Sequence, residues 1–220
     1  MGNAILTTQP SKKNIAYEGI KQMIIEGELK HDTPLVERQL CEILNVSRTP
    51  VREALRELAN NDMVEIVENK GVYVKKIDFK DMVEIFELRE ALECLTIQLF
   101  VKRATDEEIT ELGKLVAEQE GYYNNNEHAL FMKTDMKMHN YIAEVAQNAR
   151  IRNAVFNIYD QISQMALAAK DEAMIIEMAV NAHREMYKSI KEHDEENAIE
   201  AMRKHVSEVK DFYKERFYIL

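Results

Sequence analysis

Proline and glycine are nearly missing from this chain, with 3 and 6 residues in 220. So few turn formers argue against a turn-rich fold and for helices joined by short connections. Cysteine is as sparse. Cys41 and Cys94 stand far apart and form no Cys-x-x-Cys pair, so neither a disulfide scaffold nor a cysteine metal clip is expected. There is no signal-like N-terminus and no long apolar run, which argues against secretion or a membrane span. The expectation is a cytoplasmic chain with no membrane partner, long enough for one or two domains with a sizeable core.

What is present is unevenly charged. The net charge is −10, yet residues 1–77 hold 11 Lys+Arg against 11 Asp+Glu, so the whole excess lies beyond them. The acidic part should avoid a phosphate backbone, whereas the neutral part can still present a basic face. The split predicts two domains, 1–77 and 78–220, with no Pro/Gly/Ser-rich linker between them.

In the first domain, Ile15, Ile20, Met23 and Ile24 form a helical stripe ending at Gly27. A polar loop follows, then a short helix from Glu37 to Leu44 with Leu40, Ile43 and Leu44 inward. Asn45-Val46 turns into a further helix from about Arg48 to Asn60. Ser47 or Thr49 can cap it, and Pro50 suits its first turn. Val51, Leu55 and Leu58 give that helix an apolar face and leave Arg48 and Arg52 pointing outward near its start. In a helix-turn-helix protein those are the positions that meet base edges and phosphates in the major groove. After Asp62 the period becomes two: Met63, Val64, Ile66, Val67, then Val72, Tyr73, Val74. Glu68-Asn69-Lys70-Gly71 between them reads as a hairpin turn. Three helices and a hairpin in this order predict a winged helix-turn-helix.

The stretch from Tyr17 to Val74 resembles the DNA-binding domain of the GntR family of bacterial transcriptional regulators. Ile20, Ile24, Gly27, Leu29, Leu35, Glu37, Leu40, the run Ser47-Arg48-Thr49-Pro50-Val51-Arg52-Glu53-Ala54-Leu55, Leu58 and Gly71 carry the likeness. The resemblance implies that Arg38, Arg48 and Arg52 contact DNA, that Ser47 and Thr49 help hold phosphates, and that Lys70-Gly71 enters the minor groove. Two positions depart from the family pattern. His31-Asp32 replaces a common Pro-Gly, and Asp62 replaces a common glycine, a change aspartate tolerates in the left-handed region.

The second domain reads as an antiparallel all-helical bundle, so the chain as a whole is mainly α. Asp78-x-x-Asp81 opens one helix to about Arg103, and Thr105-Asp106-Glu107-Glu108 is a capping box for another to about Tyr123. Further helices are expected over residues 128–147, 150–170, 173–192 and 195–217. Several apolar stripes in them carry polar residues: Asp135 with His139 beyond it, His183, and His205. A buried carboxylate and three buried imidazoles are costly unless satisfied, and one metal ion would satisfy all four. Asp135 and His139 are i, i+4 on one face. His183 and His205 lie about ten residues either side of the turn at His193-Asp194, which brings them to one height in an antiparallel pair. Zn²⁺, Ni²⁺, Mn²⁺ and Fe²⁺ all suit such a set.

The same four residues resemble the metal site of the FCD domain, the C-terminal domain of the FadR-like subfamily of GntR regulators. Arg89, buried among Ile85, Phe86, Leu92, Thr96 and Leu99, is a second candidate. A planar guanidinium matches a carboxylate in two-point contact, although an intrahelical pair with Glu93 would also account for it. The resemblance tips Arg89 towards an effector contact, with Asn148 as a weaker candidate. Together these imply a homodimeric regulator, more often a repressor, that binds a short inverted repeat of double-stranded DNA and senses a small carboxylate. The alternatives are a metal sensor and a metal-dependent enzyme.

Overall fold

A computed structural model describes residues 10–166 and 172–217. The chain divides into two compact units, one ending at Lys76 and the other starting at Ile77.

In the first unit, helix α1 (Lys12–Ile25) starts where Ser11 Oγ accepts the N–H of Asn14 at 3.1 Å. It ends just before Gly27, whose φ of 73° is the left-handed conformation that glycine takes without steric cost. Its buried face is Ala16, Ile20 and Ile24. Ile15, expected on that stripe, is 41% exposed instead. Helix α2 (Glu37–Leu44) ends at Asn45 in the left-handed region, and α3 (Arg48–Asn60) follows after two residues. Val51, Ala54, Leu55 and Leu58 of α3 pack on Leu40 and the α1 stripe. Ile43 does not join them. An eight-residue helix has room to bury only a narrow face, here Leu40, and Ile43 falls outside it.

Strands β1 (Val64–Val67) and β2 (Gly71–Val74) pair antiparallel, Val64 opposite Val74 and Val67 opposite Gly71. Asp62, with φ 57°, makes the helix-to-strand turn in the left-handed conformation, where its short polar side chain is tolerated. Asn69 (φ 59°) and Gly71 (φ 118°) shape the hairpin turn.

The second unit contains only helices among the described residues: α4 (Phe79–Arg103), α5 (Asp106–Asn124), α6 (His128–Val145), α7 (Ala149–Ala166), α8 (Glu172–Lys191) and α9 (Glu195–Phe217). Capping boxes at Asp78/Asp81 and Thr105/Glu108 fix the starts of α4 and α5. Asn126, Gln147 and His193 take positive φ in the tight turns between helices. The last turn expected of the fourth helix, to Lys170, lies outside the described residues. Helices α4, α8 and α9 pack side by side, with α5, α6 and α7 completing the bundle around Phe86, Phe100, Leu112, Met138 and Met202. No described helix is long and apolar enough to cross a membrane.

Candidate functional site

Two groups of residues carry chemistry. The first is the start of α3. Ser47 occupies the N-cap position but its hydroxyl makes no capping bond. One of the two donors that a capping hydroxyl can use is missing, because Pro50 at the third helical position has no N–H to give. Exposed Ser47 and Thr49 therefore flank a helix N-terminus whose free N–H groups favour an anion. Arg48 and Arg52 are exposed on the same helix, and Arg38 is exposed on α2. Arg52 is not bound to a glutamate of its own helix. Its Nε donates to both carboxylate oxygens of Glu37 on α2, at 2.8 and 2.9 Å. That bond holds the stem of the side chain and leaves the two terminal nitrogens free. Lys70 and Gly71 are exposed at the hairpin turn.

The second group is inside the bundle. His139 of α6, His183 of α8 and His205 of α9 are each at most 3% exposed, and one ring nitrogen from each lies within 4.8 Å of the others. Each ring engages a neighbour through its other nitrogen. His139 Nδ1 is 2.5 Å from Glu93 Oε2. His183 Nδ1 is 3.0 Å from Gln119 Oε1, and His205 Nε2 is 3.2 Å from Arg89 Nη2. That leaves His183 Nε2, His205 Nδ1 and both ring nitrogens of His139 buried with no hydrogen-bond partner, since the His139–Glu93 contact does not have hydrogen-bond geometry. Unpartnered ring nitrogens gathered this closely are costly in a protein interior. Asp135 stands beside two of them, its Oδ1 3.7 Å from His183 Nε2 and 4.0 Å from His139 Nε2, and it accepts a hydrogen bond from Gln119 Nε2 at 3.2 Å.

The donor set fits a divalent ion. Nitrogens that share one ion at about 2.1 Å stand roughly 3.0–3.6 Å apart in octahedral, tetrahedral or trigonal arrangements, so the rings must draw in by about an ångström to close on an ion. Because a carbonyl oxygen can only accept, Gln119 sets the proton of His183 on Nδ1 and leaves a lone pair on Nε2. His205 differs. Arg89 can only donate, so the ring must accept at Nε2 and carry its proton on Nδ1. His205 can become a ligand only by giving up Arg89.

Electrostatics favour the neutral form of two of the three rings. Burial pushes His183 well below the ordinary histidine value, and the neighbouring His205 and His139 push the same way. Burial and Arg89 do likewise for His205. Both rings are therefore unprotonated at neutral pH, the form that binds metals. Burial raises Asp135, with His139 and Arg89 offsetting part of the rise. Burial would also raise Glu93, but His139 and Arg89 outweigh it and hold that carboxyl well below the usual range.

Arg89 both pairs with Glu93 and reaches the cluster. Its Nε donates to Glu93 Oε1 at 2.5 Å and its Nη2 to the hydroxyl of Tyr159 at 2.9 Å, while Tyr159 donates to Glu93 Oε1 at 2.9 Å. Nη1 makes no hydrogen bond. Asn148 is placed differently. Its Oδ1 accepts the N–H groups of Arg150 and Ile151, so it serves the turn into α7. Gln119 and Tyr159 are site residues that the sequence reading passed over. Gln119, fully buried in the α5 stripe of Leu112, Leu115 and Val116, carries the same signal that singled out the histidines. Tyr159 carries none, because its partners are 66 and 70 residues away in the chain.

Residues 12–74 match the bacterial regulatory proteins of the gntR family, and residues 84–208 match the FCD domain. An uncharacterized HTH-type transcriptional regulator of Bacillus subtilis, YdhC, is 27% identical over 83% of this chain and 82% of its own length. The HTH-type transcriptional repressor RspR of Escherichia coli is 24% identical over 93% and 89%. The solved structure of E. coli McbR/YncC superimposes with a TM-score of 0.81, covering 95% of this chain and 100% of that one at 17% identity, a likeness of fold. With both domain matches in chain order over these two units, the chain belongs to the GntR family of bacterial transcriptional regulators, with an FCD domain behind its DNA-binding domain, and is not an enzyme.

Proposed function

We propose that this regulator is a cytoplasmic homodimeric repressor. Its FCD domain holds a divalent ion on Asp135, His139, His183 and His205 and binds a small carboxylate there with Arg89. Its winged helices, through Arg38, Ser47, Arg48, Thr49, Arg52 and the Lys70-Gly71 turn, bind the two halves of a short inverted repeat. The observation that carries the reading is the cluster of three buried histidines with unpartnered ring nitrogens beside a buried arginine. The ion supplies a positive centre with positions open to a carboxylate. Asn148 stands in the turn at the rim of the bundle rather than in this network, and the effector contact is assigned to Arg89 alone. The repressor sign follows relatives such as RspR, described as a transcriptional repressor.

A dimer that reads two half-sites at fixed spacing loses affinity when its recognition helices are reoriented, so an effector within the bundle can release DNA. The test is operator binding by fluorescence anisotropy, on protein loaded with Zn²⁺ and on protein stripped by a chelator, with and without small carboxylic acids. The expected result is that stripping abolishes the response to acids while DNA binding persists. If stripping alone switches DNA binding and no acid has any effect, the ion is itself the effector.

A further inference from the structure

Resting on the metal reading above, we propose that Gly113 and Tyr187, which lie outside the candidate ligand set, are positioning residues for the centre. Tyr187 seats in a notch left by Gly113 and so fixes the spacing at which Gln119 of α5 meets His183 of α8. A glycine inside a helix is unfavourable, because it loses more backbone freedom on folding than alanine does. Gly113 stands in the middle of α5, so some other contact must favour it there. The neighbouring helix supplies that contact. A Cβ at Gly113 would stand 2.5 Å from Tyr187 Cζ and 3.1 Å from Cε2, closer than the roughly 3.5–4.0 Å of ordinary carbon contact. The ring itself, apart from its hydroxyl, occupies the space a side chain would take. Gly121 of the same helix is the contrast, since a Cβ there would meet nothing within 4 Å.

The notch lies on the seam that supports the cluster. Gly113 and Glu120 are i, i+7 on α5 and share a face, while Arg184 and Tyr187 are i, i+3 on α8. Arg184 Nε donates to Glu120 Oε1 at 2.5 Å. One residue before each of that pair, Gln119 Oε1 is 3.0 Å from His183 Nδ1. The two helices are thus held at two points: a charge pair level with the Gln119–His183 contact, and a steric contact two turns earlier on α5. The charge pair is 43% and 33% exposed, so water screens it and it adds little. The steric contact therefore carries the spacing. A methyl at Gly113 would push α5 away from α8, the direction that stretches the Gln119–His183 contact. About an ångström of that movement takes the contact out of hydrogen-bonding range. Gln119 also donates to Asp135 at 3.2 Å, so the same movement disturbs a second candidate ligand.

The experiment uses the full chain, with Zn²⁺ affinity read by competition with a chromogenic chelator and folding checked by circular dichroism. Gly113→Ala should weaken Zn²⁺ binding about tenfold, the loss expected when a ligand's supporting partner is displaced. Gly121→Ala adds the same methyl to the same helix and should leave the affinity within about twofold of the parent. Tyr187→Phe keeps the ring and should do the same. Tyr187→Leu empties the notch and should weaken binding. Gly113→Ala/Tyr187→Leu puts a methyl where the ring stood and should bind more tightly than either single variant. That order marks a steric pair rather than general destabilisation. In a Gln119→Met background, Gly113→Ala should cost less than about twofold more, because its route to the ion is already gone. Unchanged affinity in Gly113→Ala, an equal loss in Gly121→Ala, a double variant no tighter than Gly113→Ala, or a fully additive loss with Gln119→Met would each overturn the positioning role while leaving the metal site standing. If Gly113→Ala does not fold, a Gly113→Ala/Tyr187→Leu protein that folds and binds Zn²⁺ supports the pair, and one that does not overturns it. Absence of Zn²⁺ binding by the parent protein would overturn the metal reading, and this inference with it.

Discussion

The side-chain amide of Gln119 lies between a histidine and a carboxylate: its Oε1 is 3.0 Å from His183 Nδ1, and its Nε2 donates to Asp135 at 3.2 Å. One uncharged residue on α5 therefore orients two groups on α8 and α6. It fixes the tautomer of His183 through the nitrogen that does not face the cluster. Removing it leaves the histidine free to carry its proton on either nitrogen and leaves Asp135 without its donor.

Gln119→Met, which keeps the volume and loses both bonds, is expected to weaken divalent-metal affinity about 10–100-fold. Competition with a chromogenic chelator measures this. Binding to random-sequence DNA should be unaffected, because that interaction depends on phosphate contacts made by the other unit. An unchanged metal affinity would show that His183 needs no such partner.

At the start of α3, a substitution should separate stability from binding. Ser47 makes no capping bond, so Ser47→Ala should change the unfolding free energy by less than about 0.5 kcal/mol, against about 1 kcal/mol for an ordinary capping serine. Its effect should appear instead as weaker binding to operator and random DNA alike, the behaviour of a phosphate contact. Urea unfolding and anisotropy titrations on both DNAs decide this. A loss of stability of the size of an ordinary cap would show that the hydroxyl does cap the helix in solution.

Much of this was legible in the sequence, and the rest has identifiable causes. The α3 boundaries follow from Ser47, Pro50 and the spacing of Val51, Leu55 and Leu58, all local signals. The burial of Asp135, His139, His183 and His205 follows from their place in apolar stripes, and the same criterion applied to α5 finds Gln119. Ile43 misled because three apolar residues in a short helix look alike until the narrow packed face is known. The Glu37–Arg52 bond and the Glu93–Tyr159 bond join different helices, and no periodicity within one helix encodes such a pair. The orientation of His205 depends on the placement of one arginine, which spacing does not specify.

The bond from Glu37 to Arg52 makes a further distinction testable. Arg52→Ala should lower the ratio of operator to random-DNA affinity by roughly tenfold or more, as expected for loss of a bidentate base contact. Glu37→Ala keeps the charge of Arg52 but frees its stem, so binding to random DNA should hold or rise while the ratio falls. Glu37→Gln keeps an acceptor within reach of Nε and should recover part of the ratio. Measuring both DNAs over a range of salt concentration separates these outcomes. A Glu37→Ala protein with undiminished operator preference would show that the tether contributes nothing to recognition.

The metal-free bundle should lose stability as pH falls through about 6.5. His183 and His205 are held well below the ordinary histidine value in the folded state, burial being the first cause, whereas in the unfolded chain they titrate near 6.5. Above that pH both states carry neutral rings and the histidines have no effect on the balance. Below it the unfolded chain takes up protons that the folded bundle refuses, so stability declines with falling pH, at a limiting slope of about 1.4 kcal/mol per pH unit for each ring. The decline ends only when pH reaches the depressed values of the folded state. Asp135 acts in the opposite sense, since its raised pKa favours the folded state as pH drops towards 3.8, so the measurement belongs between pH 7.5 and 5.5. Urea midpoints of chelator-stripped protein should fall across that window. A His183→Gln/His205→Gln variant should give a flatter profile, and a flat profile in the parent protein would mean that the two rings are accessible to protons in the folded state.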